Sequence, residues 1–251
     1  MMNAEKYRRA LVGEVELIHE LLRDADEEAA GRESSCSGWS VLDVGRHVEV
    51  TPRTVAGHLI AHLQGEPLPQ NEPLASTAGR QEVLDSLDDG SRRLNEALGR
   101  LGDEALDGEL PGPVGPMPGR AVLDLALTEL TLHRCDIALG LGVPADIDPT
   151  TAVAVIDVIQ AWLLLIAPAS PTPKGPLCYL LSDGSHEWSF RFEGTHWTAD
   201  ACKEDRRAVI AHGTPGRLAL ALAGRLPIEQ AVDESSNPVA LSKLKTYLPG
   251  P

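Results

Sequence analysis

Apolar and polar positions recur along this chain with two different periods, and the change of period divides it. From Tyr7 to about Ala30, Leu11, Val15, Ile18, Leu21 and Leu22 fall three or four residues apart in a highly charged segment. That spacing predicts an amphipathic helix. After the loop GRESSCSGW, Ser40 reads as a helix cap with Asp43 completing an approximate capping box, and Val41, Val44, His47 and Val48 follow. Thr51-Pro52 interrupts this helix, because proline has no N–H to donate. A kink or a fresh start is expected there, with Thr51 as cap and Pro52 first in the turn. The helix resumes through Val55, Leu59 and Leu63 and stops at Gly65. Glu82 to about Leu101 is a third amphipathic helix, PGPVGPMPG is a Pro/Gly loop, and Arg120 to Leu141 is a fourth long helix. The last is apolar on nearly all sides, which predicts a central position.

Beyond Asp148-Pro149, which caps a helix running to about Ile166, the period shortens to two. In HEWSFRF, Trp188, Phe190 and Phe192 alternate with Glu187, Ser189 and Arg191, as in a half-buried strand. PLCYLLS, HWTADAC and RRAVIAHG are its expected neighbours, with a turn at Asp183-Gly184. A helix opens at Thr214-Pro215, and a last one holds Ala240 to Tyr247. The expected fold class is α+β: a four-helix bundle over residues 1–147 and a smaller α+β domain over residues 148–251.

Composition narrows the function. The chain has 251 residues, 43% of them hydrophobic but only 4% aromatic, so Leu, Val and Ala must fill the core. A net charge of −15 argues against nucleic acid and anionic membrane surfaces as partners. No stretch reads as a continuous apolar span, and the N-terminal segment is charged and amphipathic rather than leader-like. The four cysteines, Cys36, Cys135, Cys178 and Cys202, show no metal-binding spacing. Free thiols in a reducing cytoplasm are the expectation.

The chemistry concentrates in LALTELTLHRCDIALG. Glu129 and His133 stand four apart, so they share one face of an otherwise apolar helix. A buried carboxylate needs compensation. One solution is a metal ion chelated by Glu129 and His133, with His47 from the second helix as third ligand and one position left open. The other is a hydrogen-bonded pair, or a pair that simply faces solvent. His58 and His62 are also four apart, but the segment lacks the glutamate of a metalloprotease motif and reads as an exposed helix end. His186, His196 and His212 read as structural or exposed. Cys36 sits close to the GW segment and could approach the site, but no base lies beside it in sequence to mark it as a nucleophile.

Two segments carry a family resemblance. CSGWSVLDVGRHV resembles the CxGWTVRDVVAHL segment of the mycothiol-dependent maleylpyruvate isomerase family, part of the DinB-like superfamily. ELTLHRCDIALGLG resembles its ExxxHRxDLxxALG segment, and AHGTPGRLALALAGRLP is similar to the end of its C-terminal domain. The resemblance implies a DinB-like bundle followed by a sterol-carrier-like α+β domain. It also implies a zinc ion, or another divalent metal, on His47, Glu129 and His133, with mycothiol as thiol cosubstrate. An actinobacterial source is implied too, and 17 arginines against 5 lysines agree with a GC-rich genome.

The activity implied is thiolate addition to an electrophile, as S-transferase or thiol-assisted isomerase. Arg53 and Asp136 are the expected substrate-binding residues, Asp136 with a second possible role in orienting a ligand histidine. The segment after His47 departs from the family around Thr51-Pro52, and Cys135 stands where the family often has Trp, so the second substrate is left open. Two alternatives stand beside this reading: the same fold with another thiol (ergothioneine, bacillithiol or glutathione), and a non-catalytic small-molecule-binding module. The expected partners are small molecules only, and the expected oligomer is a monomer or homodimer.

Overall fold

A computed structural model describes residues 2–167, 171–202, 208–233 and 238–248. The chain divides into two compact units, Met1–Ala145 and Asp146–Pro251, each with its own core.

In the first unit α1 (Ala4–Asp24) is followed by a single-turn α2 (Glu27–Ala30), then α3 (Val41–Val48), α4 (Val50–Gln64), α5 (Arg80–Gly99) and a short α6 (Asp103–Asp107). A hairpin of β1 (Glu109–Gly112) and β2 (Gly115–Pro118) leads into α7 (Gly119–Leu141). Long helices α1, α4, α5 and α7 pack as a bundle, with α3 against α7. The stripe read from the sequence is the buried face of α1: Leu11, Val15, Ile18 and Leu22 have no exposed surface. Leu87 and Leu94 of α5 and Leu123, Leu127 and Leu130 of α7 meet them in the core.

Three local expectations need correction. The first helix does not run unbroken to Ala30. It ends at Asp24, and Asp26 caps α2 through a side-chain bond to the Ala29 N–H. The break near Pro52 falls at Glu49, and Thr51 caps nothing: Pro52 lies inside the first turn of α4. The physical reason is that Pro52 cannot donate to the carbonyl of Val48, four residues back, so the ladder opens there. The Pro/Gly stretch 111–119 is not a simple loop, since most of it pairs as the β1–β2 hairpin around Pro113-Val114.

Glu49 at that break is wholly buried and answered on three sides. Its carboxylate accepts from Arg53 Nη2 at 2.7 Å, from the Leu74 N–H at 2.8 Å and from the Ser86 hydroxyl. It thereby ties α4, the 66–79 linker and α5 together, which a buried charge requires if it is to be tolerated.

The second unit starts with α8 (Pro149–Ile166), capped by Asp148, whose side chain accepts from the N–H groups of Thr150 and Thr151. Strands β3 (Leu177–Ser182), β4 (Glu187–Glu193), β5 (His196–Thr198) and β6 (Val209–His212) form one sheet in the order β5-β4-β3-β6. Its pairs are antiparallel except β3 with β6. Residues 206 and 207 of the expected fourth strand lie outside the described ones. Helices α9 (Pro215–Leu222), α10 (Ile228–Ala231) and α11 (Pro238–Tyr247) complete the unit. Trp188, Phe190 and Phe192 are buried as the alternation predicts, but Ser189 between them is buried as well, beneath α8.

By length and hydropathy α8 does qualify to cross a membrane, contrary to the absence of such a segment in the sequence reading. Here it buries Ala152, Val155, Ile156, Ile159 and Leu163 within its own unit. Its polar groups bind the sheet: Gln160 donates to the Ser189 carbonyl, and Asp157 accepts from the Trp188 indole.

The expectation of four free thiols is also corrected. Cys178 of β3 and Cys202 form a disulfide with Cα atoms 5.9 Å apart, while Cys36 and Cys135 remain as thiols. A 24-residue separation carries no sequence signal. Only the return of the chain past β4 and β5 brings the pair within bonding reach. One ground for a reducing cytoplasm is thereby lost.

Candidate metal and thiol site

Each site residue is held by a local feature of the sequence. The box at the start of α3 forms: the Ser40 hydroxyl accepts from the Asp43 N–H at 3.1 Å, and Asp43 Oδ2 accepts from the Ser40 N–H at 3.0 Å. The Ser40 hydroxyl, which donates to Asp43 Oδ2 at 2.7 Å, and the Ser40 N–H hold the Asp43 carboxyl below its ordinary range, with Arg46 adding to the effect. The box fixes where α3 begins and so the turn on which His47 lies. On α7, Gly140 permits a close approach. A Cβ there would lie 2.7 Å from Val41 Cγ2 and 3.0 Å from the Cα of Ser34. The Ser34–Cys36 segment can therefore sit against α7 beside Asp136.

His47, Glu129 and His133 converge. Glu129 Oε1 lies 3.0 Å from His47 Nε2 and 3.3 Å from His133 Nε2, and one donor atom from each residue lies within 4.8 Å of the other two. The two imidazoles meet edge to face at 4.8 Å, and Trp39 packs edge-on against His47 at 5.0 Å. The His47 and Glu129 side chains are 43% and 42% exposed, so a ligand has access, while His133 is 13% exposed. Hydrogen bonds from His133 and His47 hold the Glu129 carboxyl far below the usual carboxylate range, against the effect of burial. Burial opposes charge on His133, but its hydrogen bonds to Asp136, Cys36 and Glu129 prevail and raise its pKa to about 11.

Behind His133 stands Asp136, with no exposed surface. Its Oδ2 lies 3.1 Å from His133 Nδ1 and accepts from Cys36 Sγ at 3.0 Å, while its Oδ1 accepts from the Ser35 hydroxyl. A carboxylate on Nδ1 leaves Nε2 to face Glu129 and whatever is held there, the arrangement found behind metal-binding histidines.

The donor set fits a divalent ion. Two imidazole nitrogens and one carboxylate oxygen are the ligands of a catalytic zinc. Donors at about 2.0–2.1 Å from such an ion in a tetrahedron are about 3.3 Å apart, close to the spacing seen here. Cys36, His133 and Asp136 form a second cluster of ligating atoms. Its members already satisfy one another through the bonds described.

Arg53 and Asp136, the residues expected to bind substrate, each have protein partners, and Asp136 occupies the position of its other expected role, against a ligand histidine. Arg53 donates to Glu49 and to the carbonyl of Glu72. Asp136 is beneath His133 and reaches the site only through it. Two participants were not read from the sequence as part of the site, Ser35 behind Asp136 and Trp39 against His47, while Cys36, expected to approach it, lies behind Asp136. Their roles depend on how a loop folds onto α7, which has no periodic signature.

A cavity of about 400 Å³ opens beside the triad, between α4, the β1–β2 hairpin and α7, and Glu129 forms part of its wall. His58 lies on this wall, not on a bare helix end. Thr51, Thr54 and His58 stand at i, i+3 and i+7, a helical-face signal present in the sequence.

The fold resembles crystal structures of the mycothiol-dependent maleylpyruvate isomerase. One matches with a TM-score of 0.66 at 17% identity, covering 94% of this chain and 95% of that chain. A histidine-to-alanine variant of that enzyme matches with the same TM-score and coverage at 16% identity. Among curated proteins, none matches the sequence significantly. The mycothiol maleylpyruvate isomerase N-terminal domain matches residues 12–138, just over half of the chain and all of the segment that carries the triad. The chain therefore belongs to the mycothiol maleylpyruvate isomerase N-terminal domain family.

Proposed function

We infer that this protein is a mycothiol-dependent enzyme of the isomerase type, and that His47, Glu129 and His133 hold a divalent metal ion, zinc in the first instance. The observation that carries the reading is the meeting of a histidine from α3 with the Glu129–His133 pair of α7 around one point, in a family whose structurally characterised relatives are named for mycothiol dependence.

A divalent ion held there supplies a Lewis acid that favours the thiolate form of an arriving thiol. The chain's own residues do the rest. Asp136 retains the proton on His133 Nδ1 and so keeps Nε2 directed at Glu129. With an ion held there, Glu129 would bring one negative charge and both histidines would act as neutral donors, so an arriving thiol sulfur would meet a site of net positive charge. The thiolate adds to an electrophilic carbon of the second substrate. Where the adduct rotates and expels the same thiol, the net result is cis–trans isomerisation. Where another group leaves with the bonding electrons and the thioether persists, it is S-transfer.

Metal analysis by plasma mass spectrometry, on protein purified without a metal-affinity tag, tests the reading. About one divalent ion per chain is expected, lost in His133→Ala. A panel of mycothiol, ergothioneine, bacillithiol and glutathione then identifies the thiol. A second reading draws on the hydrogen bonds that hold His133 charged: Asp136, His133, Glu129 and His47 form a self-satisfied network without any ion. Absence of metal from both proteins would favour that network.

A further inference from the structure

The cavity beside Glu129 says something about the second substrate that the triad does not. Its volume, about 400 Å³, lies in the range of small-molecule sites. The chemistry of its wall is one-sided. Helix α7 contributes Val122, Leu125 and Ala126, and the hairpin contributes Pro111, Gly112 and Pro113. Helix α4 adds Val50, Val55 and Leu59, and beside these only the hydroxyls of Thr51 and Thr54 and the ring of His58. No lysine or arginine lines it among the described residues. Arg53, on the same helix, is committed to the buried Glu49 and to the Glu72 carbonyl.

A dianionic substrate would meet no cation on these walls, and would approach a molecule carrying −15 overall. The metal centre does not change this balance. A divalent ion with Glu129 and one thiolate is electrically neutral, so it offers a second anion no net charge. Desolvating two carboxylates in an apolar cavity without partners is strongly unfavourable. The polyhydroxylated sugar of a mycothiol-type cosubstrate is equally ill matched to walls with three polar side chains besides Glu129.

We propose that this cavity receives the electrophilic substrate, and that the substrate is an uncharged, largely apolar electrophile carrying a hydrogen-bonding group such as a carbonyl for Thr51, Thr54 or His58. The proposal rests on the thiol-dependent reading of the triad, but it concerns a different set of residues and can fail separately.

The test is a binding measurement on the metal-loaded full chain with the uncharged fluorophore N-phenyl-1-naphthylamine. Saturable binding is expected. It should be displaced by an uncharged enone such as benzylideneacetone and not by maleate at tenfold higher concentration. Ala126→Trp, which fills the cavity, should weaken the fluorophore at least tenfold with metal content unchanged. Thr54→Arg should weaken the fluorophore and introduce maleate binding, and it serves if the tryptophan variant does not fold. Displacement by maleate from the unaltered protein, or fluorophore binding indifferent to both variants, would overturn the proposal. Mycothiol-dependent turnover, read as loss of the enone or adduct formation for benzylideneacetone and as formation of the trans isomer for maleylpyruvate, separates the two levels. Binding as expected with turnover of neither electrophile would count against the thiol-dependent function and leave the cavity's preference standing. Turnover of maleylpyruvate in preference to the enone would overturn the preference and leave the function standing.

Discussion

At the scale of single residues, the candidate centre depends on which atom of His133 is free. Nδ1 is taken by Asp136 and Nε2 faces Glu129. Asp136→Asn keeps the size and removes the charge that fixes this tautomer. It should lower metal affinity about 10–100-fold, read by titration against a competing chelator, with the melting temperature of the metal-free protein as control. An affinity within twofold of the unaltered protein would mean that Asp136 serves packing alone. The glutamate and histidine were legible in the sequence because a four-residue interval means one helical face in any fold. For Asp136 the sequence offered two roles, orienting a ligand histidine or binding substrate, and did not choose between them. Its role needed the Ser35–Cys36 loop, which crosses to α7 from 100 residues away. The partner of Arg53 was hidden for a related reason. The buried Glu49 that claims it looked in sequence like any other surface acid on a charged helix.

At the scale of elements, local rules read the chain well where the signal is contained within one turn. The Ser40–Asp43 box is such a case, and it fixes the start of the helix that carries His47. Ser40→Ala should cost about 1 kcal/mol in urea unfolding. The Asp43 carboxyl is held below its unfolded value, so its stabilisation is present above the unfolded carboxylate range and is lost as pH falls through the folded value. Asp43→Asn should therefore flatten the acid limb of the stability profile and leave neutral-pH behaviour dominated by the lost cap. Where elements meet, local rules fail. Gly140 lies in a helix, where alanine is favoured over glycine by about 1 kcal/mol. Yet a Cβ there would press on Val41 and on the Ser34 backbone. Gly140→Ala is expected to destabilise by about 1–3 kcal/mol despite its better propensity, because backbone cannot yield as a side-chain tip does. A gain in unfolding midpoint would show that the Ser34 segment moves freely, and that it does not position Asp136.

At the scale of the whole molecule, the proposed metal ion and the disulfide would give each unit its own stabilising device, and the two devices would be chemically orthogonal. The triad belongs to Met1–Ala145 and the Cys178–Cys202 bond to Asp146–Pro251. A metal ion stabilises only the folded form that binds it, by an amount set by its free concentration over its dissociation constant. Closing a loop with a 24-residue separation restricts the unfolded chain by about 3.5 kcal/mol in the chain-entropy account. Chelation should accordingly lower amide protection around α3 and α7 and spare β3 and β4. A mild reductant should do the reverse, with Cys178→Ala reproducing its effect. Hydrogen exchange read by mass spectrometry resolves the two patterns on one sample. Protection lost in both units under either treatment would mean that they unfold as one cooperative body. The sequence change from a period near 3.6 to a period of 2, which separates a helical half from a sheet-bearing half, would then mark a change of architecture without marking a boundary of cooperativity.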